Sequence, residues 1–167
     1  MPWILDATCG NRGFWAAHLP KDLVCIDIRL EVKPDIVADA KHLPFRDRVF
    51  QSVFFDPPHR HGEGGMFKER FGGFGSYDDL RLLFQLATRE FYRVLIPSGI
   101  LVTKLTETSQ PRNSRHHEGL LERQIALRFG QYAEAAGLRQ TFAYKRYSKG
   151  MSRTAKVVWL NFKKTMK

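Results

Sequence analysis

The stretch "VFFDPPHRHGEGG", residues 53–65, changes character at its fourth residue. Val53-Phe54-Phe55 has the β-branched and aromatic composition of a buried strand, and the two prolines that follow cannot donate hydrogen bonds to a sheet. The strand is therefore predicted to end at Asp56. In an open α/β sheet, ligands bind at the carboxyl ends of the strands, so this pattern predicts a functional site at the aspartate.

Strands and helices alternate on both sides of this stretch. Further strands are predicted at Trp3-Ile4-Leu5 and at 23–28, 35–37, 100–104, 139–147 and 155–163. Helices are predicted at 14–18, 77–95 and 119–136, and Pro97-Ser98-Gly99 is predicted to be a turn. The order indicates one domain over 1–167, with a mostly parallel sheet, one antiparallel strand and helices on both faces.

Composition narrows the class of protein. The chain has 167 residues, of which 43% are hydrophobic. It contains no apolar run approaching the roughly 20 residues that span a bilayer. No secretory leader precedes the first predicted strand, which favours a cytoplasmic protein. Cys9 and Cys25 form no metal or redox motif, which favours a reducing compartment without a structural disulfide or zinc.

The formal charge of +10 is unevenly distributed along the chain. Residues 1–108 contain 14 Lys and Arg against 14 Asp and Glu, whereas residues 109–167 contain 13 against 3. This asymmetry predicts a polyanionic partner. A solubilising surface with a basic tail at Lys163, Lys164 and Lys167 is the alternative.

A glycine loop follows the first predicted strand. Gly10 and Gly13 allow a ligand to approach the backbone closely, although they could equally serve as turn glycines. Asp27 ends the second strand, where a carboxylate can accept hydrogen bonds from both ribose hydroxyls of an adenosine cofactor. Asp39 follows the third strand and is placed to bind the adenine amino group. NAD and ATP fit poorly, because residue 12 is Arg and no Gly-Lys-Ser/Thr run is present.

Taken together, the motifs resemble those of class I S-adenosylmethionine-dependent methyltransferases of the amino-methyltransferase type. The resemblance covers nearly the whole chain and is carried by "ILDATCGNRGFW" (4–15), "DIVADAKHLPF" (35–45), "FFDPPH" (54–59), "RVLIPSGILVTK" (93–104) and "WLNFKK" (159–164). It is greatest for small phage-type and mobile-element methyltransferases. Arg12 replaces a glycine of the family pattern, and His59 replaces an aromatic residue. The implied fold is a Rossmann-like, seven-stranded sheet.

The resemblance also implies a cofactor, S-adenosylmethionine, and roles for individual residues. The implied cofactor-binding residues are Asp6, Ala7, Cys9, Gly10, Arg12, Gly13, Asp27, Ile28, Asp39 and Ala40. The implied catalytic residues are Asp56, Pro57, Pro58 and His59. The Asp56 carboxylate and the Pro57 carbonyl would accept the two protons of a base amino group, and His59 would stack on the base.

No metal is required for this chemistry. A zinc site is an alternative for the histidines of the chain, with His59, His61, His116 and His117 as ligands. No Cys or carboxylate is placed to complete that set convincingly.

Basic residues are predicted to gather where strands end. The predicted nucleic-acid contacts are Lys68, Arg70, Arg112, Arg115, Lys145, Arg146, Lys149 and Arg153. The long glycine-rich loop 56–77 is predicted to be a lid with stacking surfaces, or else a flap that covers the cofactor. An unpaired base needs no flipping, which favours RNA slightly over DNA, with adenine N6 as the first choice of target.

Several alternatives stay open. The same tetrapeptide can present a protein glutamine amide, and a degenerate fold could bind nucleic acid or a partner subunit without catalysis. A partner subunit or a homodimer could also supply target recognition.

Overall fold

The computed structural model describes residues 3–57, 77–108, 124–147 and 155–165. In these residues seven strands form one sheet: β1 (Trp3–Asp6), β2 (Leu23–Asp27), β3 (Ile36–Val37), β4 (Phe50–Phe55), β5 (Leu95–Thr108), β6 (Leu138–Tyr147) and β7 (Ala155–Lys164). The helices in the same residues are α1 (Tyr77–Val94), α2 (Ile125–Ala135) and short 3-10 turns at Gly13–Trp15 and Leu30–Val32.

The strand order is β3-β2-β1-β4-β5-β7-β6. Neighbouring strands are parallel except for β7, which runs antiparallel to both β5 and β6. The predicted mostly parallel sheet with one antiparallel strand is therefore confirmed. The order reverses direction at β1, so the carboxyl ends of β1, β2 and β4 lie together at the point where such sheets bind ligands.

The two faces of the sheet are covered differently in the described residues. Successive side chains of a strand point to opposite faces. The centroid of the Phe55 ring lies 4.9 Å from that of Phe91 in α1 and 5.8 Å from that of Phe129 in α2, so both α-helices lie on one face. The Phe54 ring, on the other face, contacts Phe14 at 5.4 Å and Trp15 at 4.8 Å. A 3-10 turn therefore packs on the second face, where a helix over 14–18 was predicted.

The predicted turn at Pro97-Ser98-Gly99 is instead part of β5. Ser98 has a positive φ of 64°, and the pairing of β4 with β5 shifts register between Phe50 and Ser52. A Cβ on Gly99 would lie 2.9 Å from the Ile96 carbonyl oxygen, so only glycine fits there without adjustment. The turn residues thus form a bulge, and β4 and β5 are both longer than predicted.

Lys164 is not part of an exposed basic tail. Its side chain is buried, and Nζ donates to the backbone carbonyls of Tyr92 at 2.6 Å and Leu95 at 2.7 Å. Burial lowers the pKa of Lys164. The ammonium group satisfies a carbonyl at the end of α1, whose last carbonyls lack helical partners, and so joins this helix to β7.

Within the described ranges, no helix combines the length and apolar character that crossing a bilayer would require.

Candidate active site

Asp6 anchors the loop that follows β1. One carboxylate oxygen accepts a hydrogen bond from the Thr8 backbone N–H at 3.1 Å, and the other accepts one from the Trp15 indole N–H at 2.7 Å. Burial raises the pKa of Asp6 despite these two bonds. Because both oxygens bind donors of the chain itself, Asp6 holds the loop in shape, and a direct cofactor contact stays a prediction.

The loop has a left-handed backbone at two positions. Gly10 has a φ of 48° and Arg12 a φ of 56°, a conformation that costs a residue with a Cβ about 1–2 kcal/mol. The Arg12 guanidinium donates to Asp35 Oδ1 at 2.7 Å, and Asp35 Oδ2 accepts from the Cys25 N–H at 2.7 Å. Arg12 is thereby tied to β2 through Asp35, a contact that offsets the backbone cost.

The two cysteines are buried and unoxidised. Cys9 donates its backbone N–H to the Ile26 carbonyl at 3.0 Å, which places the loop against β2. Hydrogen bonding with the neighbouring Cys25 thiol, together with burial, raises the pKa of Cys9. Cys9 is buried and its backbone is hydrogen-bonded to β2, so it helps to set the shape of the loop, and its cofactor contact stays a prediction.

Asp27, at the end of β2, faces the same loop. Its Oδ2 accepts from the Gly10 N–H at 3.0 Å and from Arg29 Nη2 at 3.0 Å. Its Oδ1 accepts from the Arg29 backbone N–H and from Arg29 Nε, each at 3.0 Å. Burial by itself raises the pKa of Asp27, but the bonds from Arg29 and Gly10 outweigh it and the pKa is lowered.

A carboxylate accepts about four hydrogen bonds, and Asp27 already accepts four. Two of the four come from the Arg29 side chain. A ribose could reach Asp27 only by replacing that side chain. Arg29 was missed from the sequence, because its partner is set by the turn after β2.

The remaining predicted adenosine contacts flank Asp27. Ile28 is an exposed apolar side chain at 65% exposure, which suits a surface that a flat ring would cover. Asp39 accepts from the Lys41 N–H at 2.9 Å and pairs with Lys41 Nζ at 3.4 Å. Ala7 and Ala40 are buried in the core. The structure places Ile28 and Asp39 after β2 and β3, and their cofactor contacts stay predictions.

Asp56 follows β4 and is tied to the β1 loop. Its backbone N–H donates to Thr8 Oγ1 at 2.8 Å, and its Oδ2 accepts from Lys104 Nζ at 2.6 Å. The side chains of Asp56 and Lys104 are about one-third exposed, at 35% and 32%. Thr8 and Lys104 were missed from the sequence; a lysine inside an apolar strand was the available signal. Pro57 is buried, whereas Pro58 and His59 lie outside the described residues.

Three carboxylates therefore surround one loop. The charges of Asp56 and Asp27 both contribute to raising the pKa of Asp6. A Cβ on Gly13 would meet no atom of the described residues within 4 Å. The edge thus combines three carboxylates, two of which pair with a cation of the chain, with room beside the backbone and one partly exposed acceptor.

Lys145 and Arg146 are exposed near the carboxyl end of β6. The pairing Phe55–Thr103–Leu160–Ala143 runs across four neighbouring strands. Lys145 and Arg146 therefore lie on the same edge of the sheet as Asp56. Three strand spacings, about 14 Å, separate β6 from β4. The other predicted nucleic-acid residues lie outside the described part: Lys68, Arg70, Arg112, Arg115, Lys149 and Arg153.

Among the described residues, no three His, Cys, Asp or Glu side chains come together as a metal-binding group. The four histidines of the alternative zinc site all lie outside the described residues: His59, His61, His116 and His117. Most of the predicted lid over 56–77 also lies outside them.

No protein-family model matches the chain, and no curated protein matches it. Solved structures match it in fold. A geranyl diphosphate methyltransferase in complex with S-adenosylmethionine has a TM-score of 0.64 at 9% identity, over 98% of this chain and 78% of that chain. The fold is that of the class I methyltransferases. The N-methyltransferase NodS from Bradyrhizobium japonicum WM9, in complex with S-adenosylhomocysteine, has a TM-score of 0.62 at 11% identity, over 99% and 79% of the two chains.

Two further structures show how widely this methyltransferase fold is used. The aminoglycoside resistance methyltransferase NpmB1 matches with a TM-score of 0.60 at 19% identity, over 98% of this chain and 87% of that chain. The [4+2]-cyclase SpnF matches with a TM-score of 0.62 at 13% identity, over 99% and 75%. Proteins named for different reactions share the fold, so the reaction has to be argued from the site.

Proposed function

We propose that the protein is an S-adenosylmethionine-dependent N-methyltransferase that acts on an exocyclic amino group of a nucleic-acid base. Adenine N6 is the first choice of target, and RNA is slightly favoured over DNA. The observation that carries the proposal is Asp56: a partly exposed carboxylate at the carboxyl end of β4, hydrogen-bonded through its backbone to the loop after β1.

The residues of the edge fit S-adenosylmethionine. The space beside Gly13 admits a ligand next to the backbone, and Asp27 stands where a ribose diol would be bound. Matching structures crystallised with S-adenosylmethionine or S-adenosylhomocysteine support the same cofactor.

Asp56 and Pro57 would act on the target nitrogen. An exocyclic amino group is a weak nucleophile because its lone pair is delocalised into the ring. Two acceptors that bind its protons would orient the lone pair, and the buried Pro57 holds the second of them, its carbonyl, in place. S-adenosylmethionine supplies an activated methyl group: the nitrogen–carbon bond forms as the carbon–sulfur bond breaks, and the nitrogen releases one proton.

Charge supports a nucleic acid as the substrate. The excess of 10 positive charges belongs to residues 109–167, and Lys145 and Arg146 stand exposed at the catalytic edge. A phosphate backbone passing Asp56 would meet them. A protein glutamine amide has no need of such an edge, so it is the weaker candidate.

One observation favours a second candidate, a non-catalytic member of the fold that binds nucleic acid or a partner subunit. The four acceptor positions of Asp27 are filled, two of them by the Arg29 side chain. A site that had lost its cofactor would keep such a pair permanently. Cofactor binding separates the two candidates.

The test is calorimetric titration of the purified protein with S-adenosylmethionine, followed by tritiated-methyl transfer to total RNA, genomic DNA and a protein extract in parallel. We expect binding and label in a nucleic-acid pool. Label in the protein pool would select the glutamine-amide alternative. Absence of cofactor binding would favour the non-catalytic candidate.

A further inference from the structure

Lys104 lies inside β5, where a charged side chain is uncommon. Its neighbours Thr103 and Leu105 are buried beneath the α-helices, and alternation directs Lys104 to the opposite face. There its Nζ lies 2.6 Å from Asp56 Oδ2. The proposed reaction assigns Lys104 no role, although it contacts the residue on which the reaction depends.

The sheet fixes both partners of this ion pair. Phe55 and Thr103 are paired in the parallel ladder between β4 and β5, so Asp56 and Lys104 are the next residues along each strand. The Thr103 hydroxyl donates to the Phe55 carbonyl at 2.8 Å, and the Asp56 N–H donates to Thr8 Oγ1 at 2.8 Å. The backbone on either side of the pair is therefore held by hydrogen bonds.

The two oxygens of Asp56 differ in their surroundings. Oδ2 accepts from Lys104, whereas no donor among the described residues hydrogen-bonds Oδ1. A carboxylate held at one oxygen cannot rotate freely about its last bond. Oδ1 thus keeps a fixed direction, with lone pairs to which no residue in the described part of the chain donates.

We infer that Lys104 is a positioning residue for Asp56: its ammonium group holds Oδ2 so that Oδ1 is presented to the amino group of the target base. The inference rests on the proposed function. Lys104 takes no part in the proton transfer, and the proton that the substrate nitrogen releases leaves by way of Asp56 to water. At metal sites, groups that orient a ligand typically contribute about 10- to 100-fold to activity, and we expect an effect of the same order here.

The first experiment tests the pair without requiring activity. A water-soluble carbodiimide joins a carboxylate to an amine in contact with it, with the loss of one water. We expect an amide between Asp56 and Lys104 in the digested wild-type protein, and none in Asp56→Asn or Lys104→Arg. The Asp39–Lys41 pair, at 3.4 Å, is the internal control. A cross-link at the control pair with none at Lys104 would overturn the inference.

The second experiment measures transfer to whichever nucleic-acid pool the wild type labels. Lys104→Met is expected to lower kcat by about 10- to 100-fold while the Kd for S-adenosylmethionine stays within about twofold. Lys104→Arg is expected to retain most of the activity, and added methylammonium is expected to restore Lys104→Ala in part. Matched thermal unfolding of the three variants accompanies the assay.

Wild-type kcat in Lys104→Met would overturn the inference, as would an inactive Lys104→Arg together with a Lys104→Ala that no amine restores. These outcomes differ from failure of the proposed function. If the wild type labels no pool, the proposed function is wrong, and the carbodiimide experiment still decides whether the pair exists.

Discussion

Asp27 and Asp56 lie at the carboxyl ends of β2 and β4, on the same edge of the sheet. Each pairs with a cation, but one cation comes from the adjacent turn and the other from a different strand. Asp27 pairs with Arg29, two residues away on the same turn, whereas Asp56 pairs with Lys104, 48 residues away on the adjacent strand. No pairing between strands aligns Arg29 with Asp27, because Arg29 lies in the turn after β2. By contrast, the ladder between β4 and β5 aligns Lys104 with Asp56. The comparison separates a replaceable pair, suited to ligand entry, from a fixed pair, suited to chemistry.

Removing Asp56, the carboxylate of the fixed pair, is expected to have the largest effect. Asp56→Ala should lower methyl transfer by at least about 100-fold, because a preorganised acceptor at the reacting nitrogen is lost. The Kd for S-adenosylmethionine should change little. Single-turnover transfer and calorimetry measure the two quantities separately. Undiminished transfer in Asp56→Ala would remove this aspartate from the mechanism.

Removing Asp27, the carboxylate of the replaceable pair, should weaken cofactor binding instead. Asp27→Ala is expected to weaken S-adenosylmethionine binding at least about tenfold, because each hydrogen bond to a charged group contributes about 1.5–3 kcal/mol. Calorimetry gives the Kd, and circular dichroism checks that the Asp27→Ala variant is folded. An unaltered Kd would contradict the ribose assignment of Asp27.

The partner of Asp27 should have the opposite effect on affinity. Arg29→Met is expected to tighten cofactor binding by about two- to fivefold, because the ribose would no longer have to displace the guanidinium from Asp27. Arg139→Met, which removes one cation at the opposite edge of the sheet, is the control. Weaker binding in Arg29→Met would show that the arginine itself holds the ligand.

Nucleic acid is expected to meet the β4 side of the edge rather than the β2 side. The double variant Lys145→Gln, Arg146→Gln should reduce the slope of log affinity against log salt by about 1–2 for a single-stranded RNA oligonucleotide. The matched control is the double variant Arg139→Gln, Lys163→Gln. These two residues are cross-strand neighbours in β6 and β7, at the other edge of the sheet. Equal slopes for both double variants would mark Lys145 and Arg146 as ordinary solvated residues.

The smallest expected effect is on the acid stability of the fold. The pKa of Asp27 lies below its usual 3.8, so this carboxylate stabilises the folded state above that pH, and the contribution is lost as pH falls through the lowered pKa. The free energy of unfolding should therefore fall less steeply below about pH 5 in Asp27→Asn than in the wild type. Urea titrations across this range test it, with Asp22→Asn as the control. Parallel curves would contradict the shift.

Much of the fold could be predicted from the sequence, because apolar runs that end at an acidic residue mark parallel strands. The strands ending at Asp6, Asp27 and Asp56 follow from this pattern, as does α1 from its apolar spacing. The helix predicted over 14–18 was wrong in type. Trp15 is held by Asp6 and by the Phe54 ring, tertiary contacts that local spacing does not reveal.

The candidate site was predicted less completely than the fold. Its carboxylates could be named, since each ends a strand, but their partners could not. Lys104 meets Asp56 only through the register of two strands, and Thr8 meets it through the approach of the β1 loop to β4. The roles of the four tetrapeptide residues and of the eight basic residues all stay predictions. Pro58, His59 and six of the basic residues also lie outside the described part of the chain.

The position of β7 has a consequence for synthesis of the chain. This strand follows β6 in sequence yet lies between β5 and β6 in the sheet. As the ribosome extends the chain at about 5–20 residues per second, β6 therefore emerges before the strand that joins it to the sheet. Until β7 is made, the 14-residue β5 remains an unpaired edge, the kind of surface on which nascent chains aggregate. Synthesis of β7 therefore covers the exposed edge of β5 and attaches β6 to the sheet in one step.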